Sequence, residues 1–376
     1  MKSKTTLALF FTVGVTACSG GQSTAPDPTE AKGATAPSTA SIAAPRLQSD
    51  LPEGYMHVPN GVAMHGDCVH EVPKGAKVHA NGDVTVNDVV VAHHDECAHP
   101  PIVSPRMHAD GKTVATSHET PGTGGWIEAA WQYAPSGQQI VVSTSTFVVP
   151  PEPSNKLDPI LNPGGQIVFL FPSVTAENAN GTSPAIVQPV LQWGVTSPNG
   201  GVTGVNGSAG GTIGSTTSWT YAAWGVTSGQ GSYFSNPITV NAGDTLAANM
   251  SIFAQSSTSV WWVVEAIDQT TGNSTWDYVE FPLTASSPWD AAQAGVLEAY
   301  YVDLCGDFPT SSTIFQYPGF QEGPFGTFEG PGLTYLAPNA TGWTSFMPGA
   351  PGGYTGPSCG FNTGLGPTNL GTTLSY

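Results

Sequence analysis

Two glutamines and one glutamate stand on stretches that otherwise read as buried strands. Residues Ala185–Thr196 spell AIVQPVLQWGVT, an apolar and β-branched run. Gln188 and Gln192 lie four residues apart in it, so on a strand both project from one face, with Val190 between them. A buried carboxamide is costly unless it is hydrogen-bonded, and ordinary structural partners are the bland account of such a pair. A second run, residues 296–302 (VLEAYYV), carries Glu298, with Tyr300 and Val302 expected on the same face. A carboxyl among aromatics is desolvated and favours its neutral form unless a donor holds the charge. An amide side chain is a suitable partner. Glutamate and glutamine together can perform hydrolysis: the carboxylate takes a proton from water, and the amide N–H stabilises the oxyanion that develops.

The elements that must position these groups read as strands throughout. Strand-like runs occur at 126–133, 139–149, 166–171, 185–196, 218–227, 238–240, 245–253, 259–268, 276–281 and 296–304, separated by turn residues and without a helical period. With 46 glycines, 33 prolines and only 10% charged residues, the chain predicts an all-β, antiparallel two-sheet β-sandwich. The net charge of −18 argues against a nucleic-acid partner, which needs a basic surface.

The ends of the chain carry other signals. Residues 1–17 have a short basic start and a short apolar run, as in an export signal. The segment closes on Val15-Thr16-Ala17-Cys18, which resembles the lipobox of bacterial lipoproteins and would make Cys18 the lipidated residue. The expected location is therefore outside the cytoplasm, anchored by lipid in a bacterial cell envelope, or extracellular. Residues 18–50 read as a disordered Ser/Thr/Ala/Pro tether. Residues 51–119 hold all nine histidines and read as a small disulfide-stapled module or propeptide. His93-His94-Asp95-Glu96-Cys97 lacks regular zinc spacing, so neither a metal nor another cofactor is expected. The four cysteines after Cys18 allow three pairings, of which the local one is Cys68–Cys97 with Cys305–Cys359. The sandwich is expected over 120–309. Residues 310–376 are expected to form an irregular Gly/Pro/aromatic extension, with Glu322 and Glu329 as surface charges.

The chain also resembles the eqolisins, the glutamic peptidases of fungi and some bacteria. Leu191-Gln192-Trp193-Gly194-Val195 matches the family's L-Q-x-G-V motif, and Leu297-Glu298-Ala299-Tyr300 its later glutamate strand. Residues 142–150 (VSTSTFVVP), Gly125-Trp126, 219–224 (WTYAAW) and 238–246 (ITVNAGDTL) resemble further family segments in the same order. The resemblance spans about 126 to 304. It implies a jelly-roll sandwich of concanavalin A type, an acid endopeptidase activity, Gln192 and Glu298 as catalytic residues, and a polypeptide substrate. Where fungal members carry a glutamate among aromatics, this chain has Ala222 and Ala223, and Pro189 and Gln188 are further departures. Gln188 is the other candidate for the active amide.

Other chemistries find less support. Gly-x-Ser-x-Gly is absent and no histidine follows His118, which disfavours a Ser–His hydrolase. Glu265 with Glu298 would be the pair for glycoside hydrolysis, yet Glu265 sits in an ordinary core-strand pattern. Sugar binding without catalysis is the main non-enzyme alternative, a lectin-like surface protein. Trp193, Trp219, Tyr221, Trp224, Trp261 and Trp262 would then stack on sugar rings; in a peptidase the first four, with Gln188, would line the substrate site. A monomer is expected in either case.

Overall fold

The computed structural model describes residues 51–59, 61–103, 125–156, 165–176, 185–198, 205–206, 211–227, 231–283, 289–302, 304–324, 334–336, 344–346, 359–365 and 371–376. The expected export signal with Cys18, the expected tether, the linker at 120–124 and Glu329 lie outside these residues. Twenty-four strands and no α-helix occur among the described residues. The first seven are β1 (Tyr55–Val58), β2 (Val62–His65), β3 (Val69–Val72), β4 (Lys77–Val78), β5 (Asp83–Val86), β6 (Val89–His93) and β7 (Ile102–Val103). Next come β8 (Gly125–Tyr133), β9 (Gln138–Val148), β10 (Ile167–Ala176), β11 (Ala185–Thr196), β12 (Val205–Asn206), β13 (Ile213–Thr227) and β14 (Gly231–Ser235). They are followed by β15 (Ile238–Val240), β16 (Thr245–Gln255), β17 (Ser259–Asp268), β18 (Ser274–Pro282) and β19 (Trp289–Tyr300). The tail supplies β20 (Thr313–Pro324), β21 (Thr334–Leu336), β22 (Thr344–Phe346), β23 (Asn362–Leu365) and β24 (Gly371–Ser375).

Two large sheets form an all-β sandwich, as the strand spacing predicts. One runs β12-β3-β14-β13-β11-β10-β19-β8-β22, with β15 also on β13. The other runs β23-β24-β20-β9-β16-β17-β18-β4-β5-β6, with β21 on β20. A third, small sheet is β1-β2-β7. Most pairings are antiparallel, but β3 joins β14 and β4 joins β18 in parallel. Residues 51–103 therefore lend strands to both layers; β1, β2 and β7 alone stay apart from the large sheets. The tail is also more regular than expected: β20 pairs along β9 and β24, well inside its sheet. Glu322 on β20 is buried, not a surface charge, and burial pushes its carboxyl up to about 7.

Strand parity sorts the core into two levels. On the central strands of the first sheet, Val168, Leu170, Leu191, Trp193, Leu297 and Ala299 point inward and pack with Phe147, Leu246, Ala248 and Phe315 of the opposite sheet. The other face carries Phe169, Phe171, Val190, Val296 and Tyr300, which meet Met56, Val58, Val62 and Met64 from the β1–β2 hairpin. Both faces are thus buried, which explains the near-continuous apolar runs of β10 and β11. Both local disulfides, Cys68–Cys97 and Cys305–Cys359, are formed.

Candidate active site

Gln192 and Glu298 lie in one row of the first sheet. Phe169 on β10 stands opposite Gln192 on β11 and opposite Glu298 on β19. Directly opposed residues share a face, so amide and carboxyl project from the same side. They are not on adjacent strands, however, because β10 intervenes and Phe169 fills the place between them. Val190 lies on this face, as parity requires. Val302 does not share it: Tyr301 adopts φ 58°, which ends the alternation, and Val302 turns into the inter-sheet core.

Glu298 is fully buried and well supplied with donors. Its Oε1 accepts from the Tyr300 hydroxyl at 2.7 Å and from the Gly61 N–H at 2.8 Å. Its Oε2 accepts from the Trp126 indole at 3.1 Å. An ionised carboxylate only accepts, and three donors converging on two oxygens suit that form. Trp126 reaches Glu298 because β8 pairs with β19 at this point, across a register shift between Leu297 and Glu298. Sequence reasoning gave neither Trp126 nor Tyr300 a role at the carboxylate. The shared parity of Glu298 and Tyr300 was the available signal for the second.

The amides are held differently. Gln192 Nε2 donates to the Gly194 and Ile213 carbonyls, each at 3.1 Å. Both of its N–H hydrogens are therefore engaged at the bulge where β11 slips against β13. Gln188 Nε2 donates to the Pro59 carbonyl at 3.1 Å, and its Oε1 is buried without a partner. Gln192 thus holds carbonyls of its own sheet, whereas Gln188 holds one at the turn of the β1–β2 hairpin.

Gly194 shapes this bulge. It has φ 89°, and a Cβ there would lie 1.9 Å from the Gln166 carbonyl oxygen. Gly194→Ala is expected to lower the unfolding free energy by about 2 kcal/mol or more, since strain and overlap add. Urea unfolding followed by tryptophan fluorescence checks this.

The expected aromatic subsite is not assembled. Trp193, Trp219 and Tyr221 lie in the inter-sheet core, on the face opposite Gln192. Trp193 follows Gln192 directly, so alternation sends it inward, and the Tyr221 hydroxyl is spent on the Ala247 carbonyl at 3.0 Å. Trp224 is on the Glu298 face opposite Gln188, but it is buried and stacked on Phe234 with ring centroids 4.7 Å apart. None of these four presents a free ring face, and Trp262 is buried as well; of the six aromatics only Trp261, beside Phe253 on the second sheet, is partly exposed. Glu265 lies on the other sheet, on β17, and accepts from Asn249.

No protein-family model and no curated protein matches this sequence. Among solved structures the chain is similar to scytalido-glutamic peptidase with a transition-state analogue inhibitor, at 12% identity and a TM-score of 0.37, covering 67% of this chain and 98% of that one. It is also similar to SCP-B, a member of the eqolisin family in a complex with the tripeptide Ala-Ile-His, at 13% identity and a TM-score of 0.35, with the same coverage. At these values the likeness carries no argument about the site, which stands on its own geometry.

Proposed function

We propose that this chain is an exported acid endopeptidase that hydrolyses peptide bonds with Glu298 as general base and proton carrier. The observation that supports this reading most directly is the peptide backbone already seated there. The turn at Pro59 and Gly61 gives a carbonyl to Gln188 and an N–H to Glu298. A pair of side chains that holds both polar groups of a main chain is suited to a polypeptide substrate. In the proposed reaction Glu298 takes a proton from water, the water oxygen attacks the scissile carbonyl, and the same proton passes to the departing amine. Gln192, in the same row, orients the water through its carboxamide oxygen. Its N–H groups reach the oxyanion only after releasing the Gly194 and Ile213 carbonyls. Gln188 holds a substrate carbonyl beside them.

The two amides are separable by mutation. Gln192→Ala is expected to lower kcat for casein cleavage at about pH 3 to 4 by about 10²-fold or more, as for loss of an oxyanion or water-orienting group. Gln188→Ala is expected to act mainly on KM. The reverse pattern, a kcat loss for Gln188→Ala alone, assigns the catalytic amide to Gln188.

A further inference from the structure

The β1–β2 hairpin lies over Glu298 and Gln188 and has a construction that bears on regulation of this same site. We propose that the β1–β2 hairpin is a built-in inhibitory strap, closed over Glu298 and Gln188 near neutral pH and released in acid. This rests on the peptidase reading and adds its control.

The strap acts as a stand-in for substrate. Its turn supplies one hydrogen-bond partner to each side chain, and Gly61 occupies a lone pair of Glu298 Oε1 that an attacking water needs. Glu298 and Gln188 are fully buried, and Gln192 is nearly so. No external chain reaches them while the hairpin stays in place.

The strap is also detachable. β1 pairs with β2, and β2 with two residues of β7; neither ladder joins a large sheet. It is held by the apolar contacts of Met56, Val58, Val62 and Met64, by the bonds at its turn, by the Thr196 hydroxyl donating to the His57 carbonyl at 2.6 Å, by the Ser232 hydroxyl donating to Met64 Sδ at 2.8 Å and by the Tyr55 hydroxyl donating to the Pro100 carbonyl at 2.9 Å. Both sheets keep their hydrogen-bond ladders when it lifts. The neighbouring Cys68–Cys97 disulfide keeps the segment attached.

Its seat disfavours a proton. The His57 ring lies face to face on Tyr300, with centroids 3.6 Å apart, and is 4% exposed. Neither ring nitrogen has a partner. A protonated ring there would bury two charged donors with no acceptor, so burial holds its pKa down to about 3. The groups around it are the phenols of Tyr300 and Tyr301 and, beyond the Tyr300 hydroxyl, the Glu298 carboxyl. At the end of β2, His65 stacks on His99 with centroids 3.8 Å apart. Burial and the His99 charge push His65 down, against a smaller upward pull from Asp67. Tyr55 meets both rings edge-on.

The direction follows from linkage. A histidine whose pKa is lowered in the closed state stabilises closure fully above its free value. That stabilisation is lost as pH falls through the closed-state value. Between about pH 6.5 and pH 3, each unit of acidification shifts the strap toward open by up to about tenfold through His57 alone.

Hydrogen–deuterium exchange on the full chain reads the strap without reference to activity. After correction for intrinsic rates, the protection of residues 55–65 is expected to fall about 100-fold or more from pH 6.5 to pH 3.5, while β11 keeps its own. His57→Phe, which stacks but cannot take a proton, is expected to hold the hairpin closed at pH 3.5; His57→Leu is the second variant should Phe not pack. Equal protection of the wild-type hairpin at both pH values, or equal loss in the variants, overturns the strap. Casein assays on the same samples separate the two ideas. Opening in acid with no cleavage by any sample sinks the peptidase and leaves the strap standing. Cleavage with the hairpin closed does the reverse. Opening together with cleavage that falls at least about tenfold in His57→Phe supports both.

Discussion

Replacing Glu298 by glutamine is expected to lower casein cleavage at about pH 3 to 4 by about 10³-fold or more. The expectation rests on the proton inventory of the site. Glu298 is the carboxyl that the sheet places on one face with Gln192 and Gln188, and donors from Tyr300, Trp126 and Gly61 hold it. Glutamine keeps the size but accepts no proton from water. It also turns an NH₂ toward one of three donors, so the closed form should lose about 1–3 kcal/mol from one unsatisfied contact. That cost is measurable by urea unfolding and is to be separated from the loss of cleavage. Glu298→Asp offers a second measure. It keeps the charge and withdraws it by one methylene, and should recover part of the rate, because positioning alone is worth about 10²-fold per ångström. Cleavage by Glu298→Gln within tenfold of wild type, under conditions where it is folded, would remove Glu298 from the mechanism.

Parity and β-branched composition made the centre of this site legible before any fold was known. β11 runs over the residues that its apolar pattern marks, and Gln188, Val190 and Gln192 share a face because nothing interrupts the alternation there. What failed was continuity. β19 begins at Trp289, earlier than the 296–304 run, because Asp290, Ala291, Ala292 and Ala294 have weak strand preference and gain it from packing between β10 and β8. β10 likewise continues past Pro172 through a register shift that absorbs the missing N–H. Tyr301 is the opposite case: a left-handed residue with no glycine to announce it turns Val302 away from Glu298. Phe169 was hidden for another reason. Strand order is not written in local pattern, so the place of β10 between the two polar strands comes only from the assembled sheet. The same holds for the hairpin over Glu298 and Gln188. His57 and Gly61 meet Tyr300 and Glu298 across more than 200 residues of chain, and a histidine-rich composition alone does not say which rings are buried.

Between about pH 6.5 and pH 8, unfolding free energy is expected to fall with a slope of up to about 2.7 kcal/mol per pH unit from two carboxyls of the sandwich core, to which Glu322 adds below about pH 7. Asp277 is fully buried, neither oxygen has a partner, and burial pushes it up to about 8. Glu128 opposes Leu297 and so points away from the Glu298 face; burial raises it to about 8 against smaller pulls from the backbone at Asn362 and Ser375. Both are protonated in the folded protein at neutral pH, whereas the unfolded chain ionises them near pH 4. Their stabilisation is complete below the unfolded value and disappears as pH rises through about 8. Urea midpoints at half-unit steps check the slope, and Asp277→Asn should remove about half of it. An unchanged slope in both Asp277→Asn and Glu128→Gln would show that these carboxyls are ionised in the folded state. Buried histidines bend the curve the other way. His57 and His70 are held down to about 3, so their contribution is lost as pH falls below 6.5 and offsets the carboxyl gain. Asp277 and Glu128 are neutral throughout the acid range in the folded protein, so lifting the hairpin leaves their protonation unchanged. Acid thus weakens the seat of His57 while the core beneath it keeps its neutral carboxyls, which is the combination a strap over an acid-active site requires.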